Sequence, residues 1–413
     1  SAFRTSHQVT NVRVHRFVLT GWNQNHQFRH DDADLRVNQK SFALGQELLN
    51  RGHHVALITD ARGAKIPGCP EKMATHILPA GRITKNPRSW MPGIRAIAEG
   101  RMMARRFYAS FDPTAVVGFG GYAAFPALLG AFAEKIPAII HEQNAVLGRV
   151  NRFTARQVNA IATAYPDVLR LSPRYASKVH LVGNPVREEV LALRDAPYPP
   201  LLADGIFRVL VTGGSQGATI LSDIVPDGLA RLPLNLRRRL QVTQQCREED
   251  IEMVRQAFAA HNIPAELAAY LPDLPERLGW AHMVIGRAGA STVAELTCAG
   301  RPAILVPLPS ATDDHQSYNV KEMVAAGGAR AIAQPAFTAV ELAKQIEKIA
   351  LEPGALENAA KAAKSCGRPN AVADLADLVE SFGRAPIMHG LKAKPDTSAS
   401  FGAAPALARK SIS

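Results

Sequence analysis

The chain alternates short apolar runs with longer amphipathic stretches, and the runs set the frame. FVLTG (residues 17–21), HVALITD (54–60), AVVGFGG (115–121) and PAIIHEQN (137–144) are brief, rich in β-branched residues, and end in glycine or polar residues. Such runs read as strands buried on both faces, as in parallel sheets. The stretches 41–51 and 124–134 between them have helical spacing, and strand alternating with helix predicts a doubly wound sheet. A Pro-rich segment, LRDAPYPPLLADG (193–205), then interrupts the rhythm. It restarts with FRVLVTGG (207–214), LQVTQQ (240–245), HMVIGRAG (282–289) and PAILVPLP (302–309).

The pattern predicts an α/β protein of two Rossmann-like domains, residues 1–190 and 207–384, joined by a linker at 191–206. The last helix of the second domain is free to return to the first. Residues 385–413 are small, polar and Pro-containing, the composition of a disordered tail. In doubly wound sheets ligands bind beyond the carboxyl ends of the strands. Two such edges facing one another would enclose a cleft.

Composition narrows the class. At 413 residues, 47% apolar and 20% charged, the chain suits a soluble protein of two ordinary domains. No run approaches the ~18–20 apolar residues needed to span a bilayer. Residues 1–16 contain no apolar signal core, so secretion is not expected. Cys69, Cys246, Cys298 and Cys366 form no CxxC pair, which favours reduced thiols and argues against a zinc site. The net charge of +12 suits nucleic acid, an anionic membrane, a phosphate-rich substrate or simply a solvated basic surface, and charge alone does not choose.

The candidate chemistry lies where strands end. In VTGGSQGATI (211–220) a strand runs through Gly213, Gly214, Ser215, Gln216 and Gly217 straight into a helix. Glycines permit a tight turn, and a fresh helix N-terminus offers unpaired N–H donors and a positive dipole end, a cradle for a diphosphate. The motif is neither GxGxxG nor a Walker sequence, which lowers the case for a dinucleotide oxidoreductase or a P-loop hydrolase. In GRAGASTVAEL (286–296) small capping residues precede Glu295, one turn into a helix, where a carboxylate can accept from the vicinal hydroxyls of a ribose. PLPSATDDHQSYN (307–319) brings Asp313, Asp314, His315, Gln316 and Asn319 to the same edge. Adjacent acids raise the question of a metal, but no second cluster of ligands accompanies them, and amide and acid groups suit sugar hydroxyls better. In the first half, Gly120, Gly121 and Tyr122 open a helix, and His141, Glu142, Gln143 and Asn144 leave a strand together. Four polar residues there are costly unless they face a cleft or are fully hydrogen-bonded.

With GFGGY, HEQN, GNPVR, GGSQGA, RAGASTVAEL and DDHQSYN in one order, the chain resembles the MurG family over roughly residues 41–380. The resemblance implies a GT-B fold and an inverting enzyme without a cofactor. It implies transfer of N-acetylglucosamine from UDP-GlcNAc to undecaprenyl-pyrophosphoryl-MurNAc-pentapeptide (lipid I), giving lipid II, on the cytoplasmic face of the inner membrane. By motif match the donor-binding positions are Asn144, Arg187, Ser215, Leu271, Ala290, Ser291, Thr292, Val293, Ala294, Glu295 and Gln316. Leu271 would read uracil with its backbone, Glu295 would hold the ribose, and the Ser215 loop the diphosphate. Two alternatives stay open: another UDP-sugar enzyme of this architecture, such as a 2-epimerase, or a UDP-GlcNAc-binding relative with lost or weakened catalysis. Nucleic acid is not expected, since no binding motif accompanies the charge.

One departure stands out. The family opens with a strand followed by GGTGGH, whereas here residues 22–40 contain no glycine. His141 and Glu142 are the first candidates for the catalytic base, with His26 and His30 of the replacement segment as outsiders. The segment 81–107 interleaves Arg82, Lys85, Arg88, Arg95, Arg105 and Arg106 with Trp90, Met91 and Ile94, a composition suited either to an anionic lipid surface or to a surface helix packed on the sheet.

Overall fold

The computed structural model describes residues 14–21, 35–61, 63–65, 68–79, 90–202, 204–214, 217–352 and 354–383. Among them, thirteen strands form two fully parallel sheets. The first contains β1 (Arg16–Thr20), β2 (His54–Thr59), β3 (Ala74–Ile77), β4 (Ala115–Gly118), β5 (Ala138–Glu142), β6 (Ala160–Thr163) and β7 (Val179–Leu181), in the order β3-β2-β1-β4-β5-β6-β7. The second contains β8 (Phe207–Thr212), β9 (Leu240–Gln245), β10 (Ala265–Ala268), β11 (Met283–Arg287), β12 (Ala303–Val306) and β13 (Ala329–Ala331), in the order β10-β9-β8-β11-β12-β13.

The unbroken apolar runs follow from burial on both faces of each sheet. Along β1, Phe17 and Leu19 point to one core with Leu44, Leu48 and Val379, while Val18 points to another with Ala104, Val116 and Ile140. In the second sheet Val209 and Val211 pack with Val225 and Leu342, and Leu210 packs on the opposite side with Leu296 and Leu305.

Each sheet reverses its strand order once, between β1 and β4 and between β8 and β11. The glycine turns after β4, β8 and β11 therefore open at the two switch points, where doubly wound folds leave a crevice.

The backbone passes between the domains twice. Val186 and Val190, ahead of the Pro-rich stretch read as the linker, already belong to the second domain's core. On the way back, the helix Ala371–Ser381 packs on the helix Leu35–Asn50 and buries Leu375 and Val379 in the first domain. The two passages touch, because a Cβ on Gly183 would lie 2.7 Å from Cβ of Arg368.

Candidate active site

At the end of β8 the chain turns within a few residues. A Cβ on Gly213 would sit 2.4 Å from the amide nitrogen of Ala218, so only glycine fits, and Gly214 and Gly217 take φ of +83° and +66°. Thr212 Oγ1 steadies the turn by donating to Gln245 Oε1 at 3.0 Å and accepting from the Gly214 N–H at 3.4 Å. The helix Thr219–Ala230 starts directly afterwards and points its N-terminus at the crevice. Ser215 and Gln216 lie outside the described residues.

The turn after β11 leads from Gly289 into the helix Ala290–Ala299. Ser291 and Glu295 of this helix line an open cleft of about 650 Å³ with Lys40 and Arg187. Glu295 Oε1 accepts from Arg187 Nε at 3.0 Å, with Arg187 Nη2 2.9 Å away. Thr292 lines a smaller space with Thr212 and Leu274. Ala290 and Val293 are buried, and Ala294 faces a separate cavity beside Asn184 and Arg368. The side chain of Leu271 is likewise core, leaving its backbone to any ligand.

In the third segment Gln316 Oε1 accepts from the Leu308 N–H at 3.0 Å, closing the loop after β12. Asp313 is held by two arginines of the other domain, Arg152 at 2.9 Å and Arg170 at 2.6 Å. Asp314 accepts from Ser317 Oγ at 2.7 Å. Asp313 thus joins the domains. Asn319, fully buried, joins them again: its Nδ2 donates to Asn144 Oδ1 and to the Ala288 carbonyl, each at 3.2 Å, and its Oδ1 accepts from the Ala145 N–H at 2.9 Å.

On the first domain's side Gly120 and Gly121 take φ of +79° and +78°, and the helix Gly121–Ala133 begins there. Tyr122 is half-buried in its first turn. Gly120, Gln143, Asn144, Asp313 and His315 line a small space of about 20 Å³.

The two expected bases prove to be enclosed. Glu142 Oε1 accepts from the Asn144 N–H at 3.0 Å, and its Oε2 accepts from the Gly148 N–H at 2.8 Å and Asn151 Nδ2 at 2.9 Å. Burial pushes this carboxyl above its ordinary range against the pull of those donors. Its geometry is that of a loop anchor, with both oxygens engaged. His141 Nε2 is 2.8 Å from the Gly183 carbonyl, and its Nδ1 is buried without a partner among the described residues. Burial, reinforced by the Lys40 cation, lowers the imidazole to about 4, so it is neutral at physiological pH. His26 and His30 lie outside the described residues.

One residue escaped the sequence reading. Lys40 is 3% exposed, and its Nζ donates to Gln143 Oε1 at 2.7 Å and to Asn184 Oδ1 at 3.1 Å. Burial lowers its ammonium to about 7, although Glu142 and Glu295 pull the other way. A signal existed: Lys40, Leu44 and Leu48 share one helical stripe at a spacing of four, and both leucines are fully buried. A cation on a core stripe is rarely there for packing.

The site matches known proteins in sequence and in shape. The glycosyltransferase family 28 N-terminal domain matches residues 39–163, and the family 28 C-terminal domain matches residues 208–379. The UDP-N-acetylglucosamine–N-acetylmuramyl-(pentapeptide) pyrophosphoryl-undecaprenol N-acetylglucosamine transferase of Erythrobacter litoralis is 64% identical over 352 residues, covering 85% of this chain and 88% of the relative. The transferase of the same name from Novosphingobium aromaticivorans is 64% identical over 362 residues, covering 88% and 93%. The crystal structure of Acinetobacter baumannii MurG superposes with a TM-score of 0.71 at 25% identity, covering 89% of this chain and 99% of that one. A UDP-GlcNAc 2-epimerase from Neisseria meningitidis, at 15% identity and a TM-score of 0.61 over 89% and 99% of the two chains, shares the fold alone. Two Rossmann-like domains about a cleft make this a GT-B enzyme fold, and the chain belongs to the MurG family of glycosyltransferases.

Proposed function

We infer that the protein transfers N-acetylglucosamine from UDP-GlcNAc to the MurNAc hydroxyl of lipid I, forming lipid II for peptidoglycan. The observation that carries this reading is the position of Glu295, which lines a small space with Thr212 at the end of β8 and an open cleft with Arg187 and Ser291, in a chain 64% identical to transferases of that name. Two helix N-termini, at Thr219 and Ala290, offer their dipoles to the diphosphate, so the leaving UDP gains negative charge against fixed donors. Arg187 adds a cation, and Glu295 accepts from the ribose. Asn144, Leu271 and the 290–295 turn complete the donor side, with Gln316 bracing its loop and the Gly120–Tyr122 turn on the acceptor side. Attack from the opposite face inverts the sugar carbon.

A lipid II synthesis assay with purified protein, UDP-GlcNAc and lipid I tests this. Lipid II and UDP should appear together. UDP-GlcNAc binding without turnover would instead favour a donor-binding relative, the reading that the glycine-free segment 22–40 motivates, and release of an epimerised UDP-sugar would favour an epimerase.

We further propose that the enzyme works at an anionic membrane surface through the helix Trp90–Phe111. At ~100° per residue, Gly93, Gly100, Ala104 and Tyr108 form its buried stripe against the helix Gly121–Ala133. Met91 and Met102 lie opposite, 77% and 48% exposed, with Ile94, 52% exposed, on the flank, and the exposed Arg95, Arg105 and Arg106 surround them. Apolar groups ringed by guanidinium groups suit the interface of an anionic leaflet. No described helix is long and apolar enough to cross a membrane.

A further inference from the structure

Lys40 connects two spaces of the site through the side chain to which it donates. It lines the larger one with Arg187, Ser291 and Glu295, and its partner Gln143 lines the smaller one with Asn144. Its two acceptors are carbonyl oxygens of amides, and the arrangement is braced, because Asn184 Nδ2 donates to the Gln143 main-chain carbonyl at 2.9 Å. Both bonds need only two N–H groups. As a neutral amine Lys40 satisfies both and keeps a lone pair, whereas as an ammonium it carries a third hydrogen with no acceptor among the described residues.

The charged and titratable groups facing it are His141 and Glu142 from the end of β5, Arg187 and Glu188 from the interdomain segment, Glu295 from the Ala290–Ala299 helix, and Glu47 from its own helix. Glu142 is engaged by its loop and Glu295 by Arg187, so the carboxylates nearest to Lys40 have partners of their own.

We propose that Lys40 is the proton acceptor of the transfer: its amine takes the proton of the acceptor hydroxyl as that oxygen bonds to the sugar carbon. The bond from this carbon to the UDP oxygen breaks in the same step, and UDP leaves with the electron pair. This inference rests on the transferase reading above. Burial supports it independently by lowering the ammonium to about 7, so the neutral form is populated near physiological pH.

The test uses the full chain, with rates of lipid II formation measured across the neutral pH range and UDP-GlcNAc affinity measured by calorimetry. In the wild type, kcat/KM should fall below about pH 7, tenfold per pH unit, with one proton. Lys40→Met and Lys40→Arg should each lower kcat by ~10²–10⁴-fold and abolish that acid limb while leaving donor affinity unchanged. Arginine is the discriminating variant, since it restores the charge but does not release a proton. Near-wild-type rates in Lys40→Arg would make Lys40 an electrostatic cation and overturn the proposal, as would a wild-type profile flat through neutrality, which requires no variant. A wild type that binds UDP-GlcNAc but makes no lipid II overturns the transferase reading instead.

Discussion

Asn319 donates its side-chain amide to the side-chain carbonyl of Asn144 at 3.2 Å, bridging two domains from positions 175 residues apart in the chain. The same side chain accepts from the Ala145 N–H, so one buried amide fixes the loop that leaves β5 against the turn that leaves β11. Asn319→Ala would strand a main-chain N–H and two carbonyl oxygens. We expect a loss of ~1–3 kcal/mol, read from the midpoint of denaturant unfolding, together with weaker UDP-GlcNAc binding. An unchanged midpoint would show that water replaces the amide without cost.

Glu295 is the acceptor that the donor's ribose would find in the cleft, and Arg187 already orients it. Glu295→Ala should weaken UDP-GlcNAc binding ~10–100-fold, the scale of one hydrogen-bonding pair that includes a charged group. Calorimetric titration measures this, and unchanged affinity would remove Glu295 from the donor site.

Lys40 also links stability to pH. Its ammonium titrates near 7 in the folded protein against an ordinary value of 10.5. Between these values the unfolded chain holds a proton that the folded one lacks, so stability should rise with pH across that window by an amount on the order of a few kcal/mol. Below about 7 both states hold it, and the burial cost of the cation is fully present. Lys40→Met should flatten this rise, as thermal unfolding followed from neutral to alkaline pH would show. An identical slope in the variant would assign the effect to other groups.

The exposed face of the helix Trp90–Phe111 makes a separate prediction. Met91→Asp with Ile94→Asp should lower the fraction of protein bound to anionic vesicles, and raising the salt concentration should do the same to the wild type. Neither residue contributes to the buried stripe, so turnover of a soluble acceptor should persist. Vesicle binding that survives both changes would place the membrane contact elsewhere.

Gly213→Ala should cost more than an ordinary glycine change, because the added methyl would meet the Ala218 amide at 2.4 Å. Loss of donor affinity with the fold retained, followed by circular dichroism, is the expected result. Full affinity would show that the turn can widen.

Much of this arrangement was legible in the sequence because it is local. The runs that became β1, β2, β4, β5, β8, β9, β11 and β12 are β-branched and continuous, as strands buried on both faces must be. β3, β7, β10 and β13 are three or four residues at sheet edges, and β6, AIAT, is central but too short and alanine-rich to show a period. The glycine turns were readable for the same reason, since a φ near +80° at Gly214 or Gly120 must be met by the residue itself. The engagement of Glu142, the arginines on Asp313 and the Asn144–Asn319 bridge were not readable. They depend on where distant segments meet, which spacing does not encode. Lys40 stood between these cases: its stripe with Leu44 and Leu48 was visible, but the glycine-free stretch before it drew attention to a missing turn instead of a buried amine.

The backbone's two passages between the domains lie against each other at Gly183 and Arg368. Adjacent tethers leave the lobes little freedom to slide or twist independently. Any relative movement would have to turn about that one place, like a gate on a single post. A junction of that kind keeps Lys40 of the first domain in register with the Arg187–Glu295 pair of the second, so one edge of the cleft is set by the fold itself.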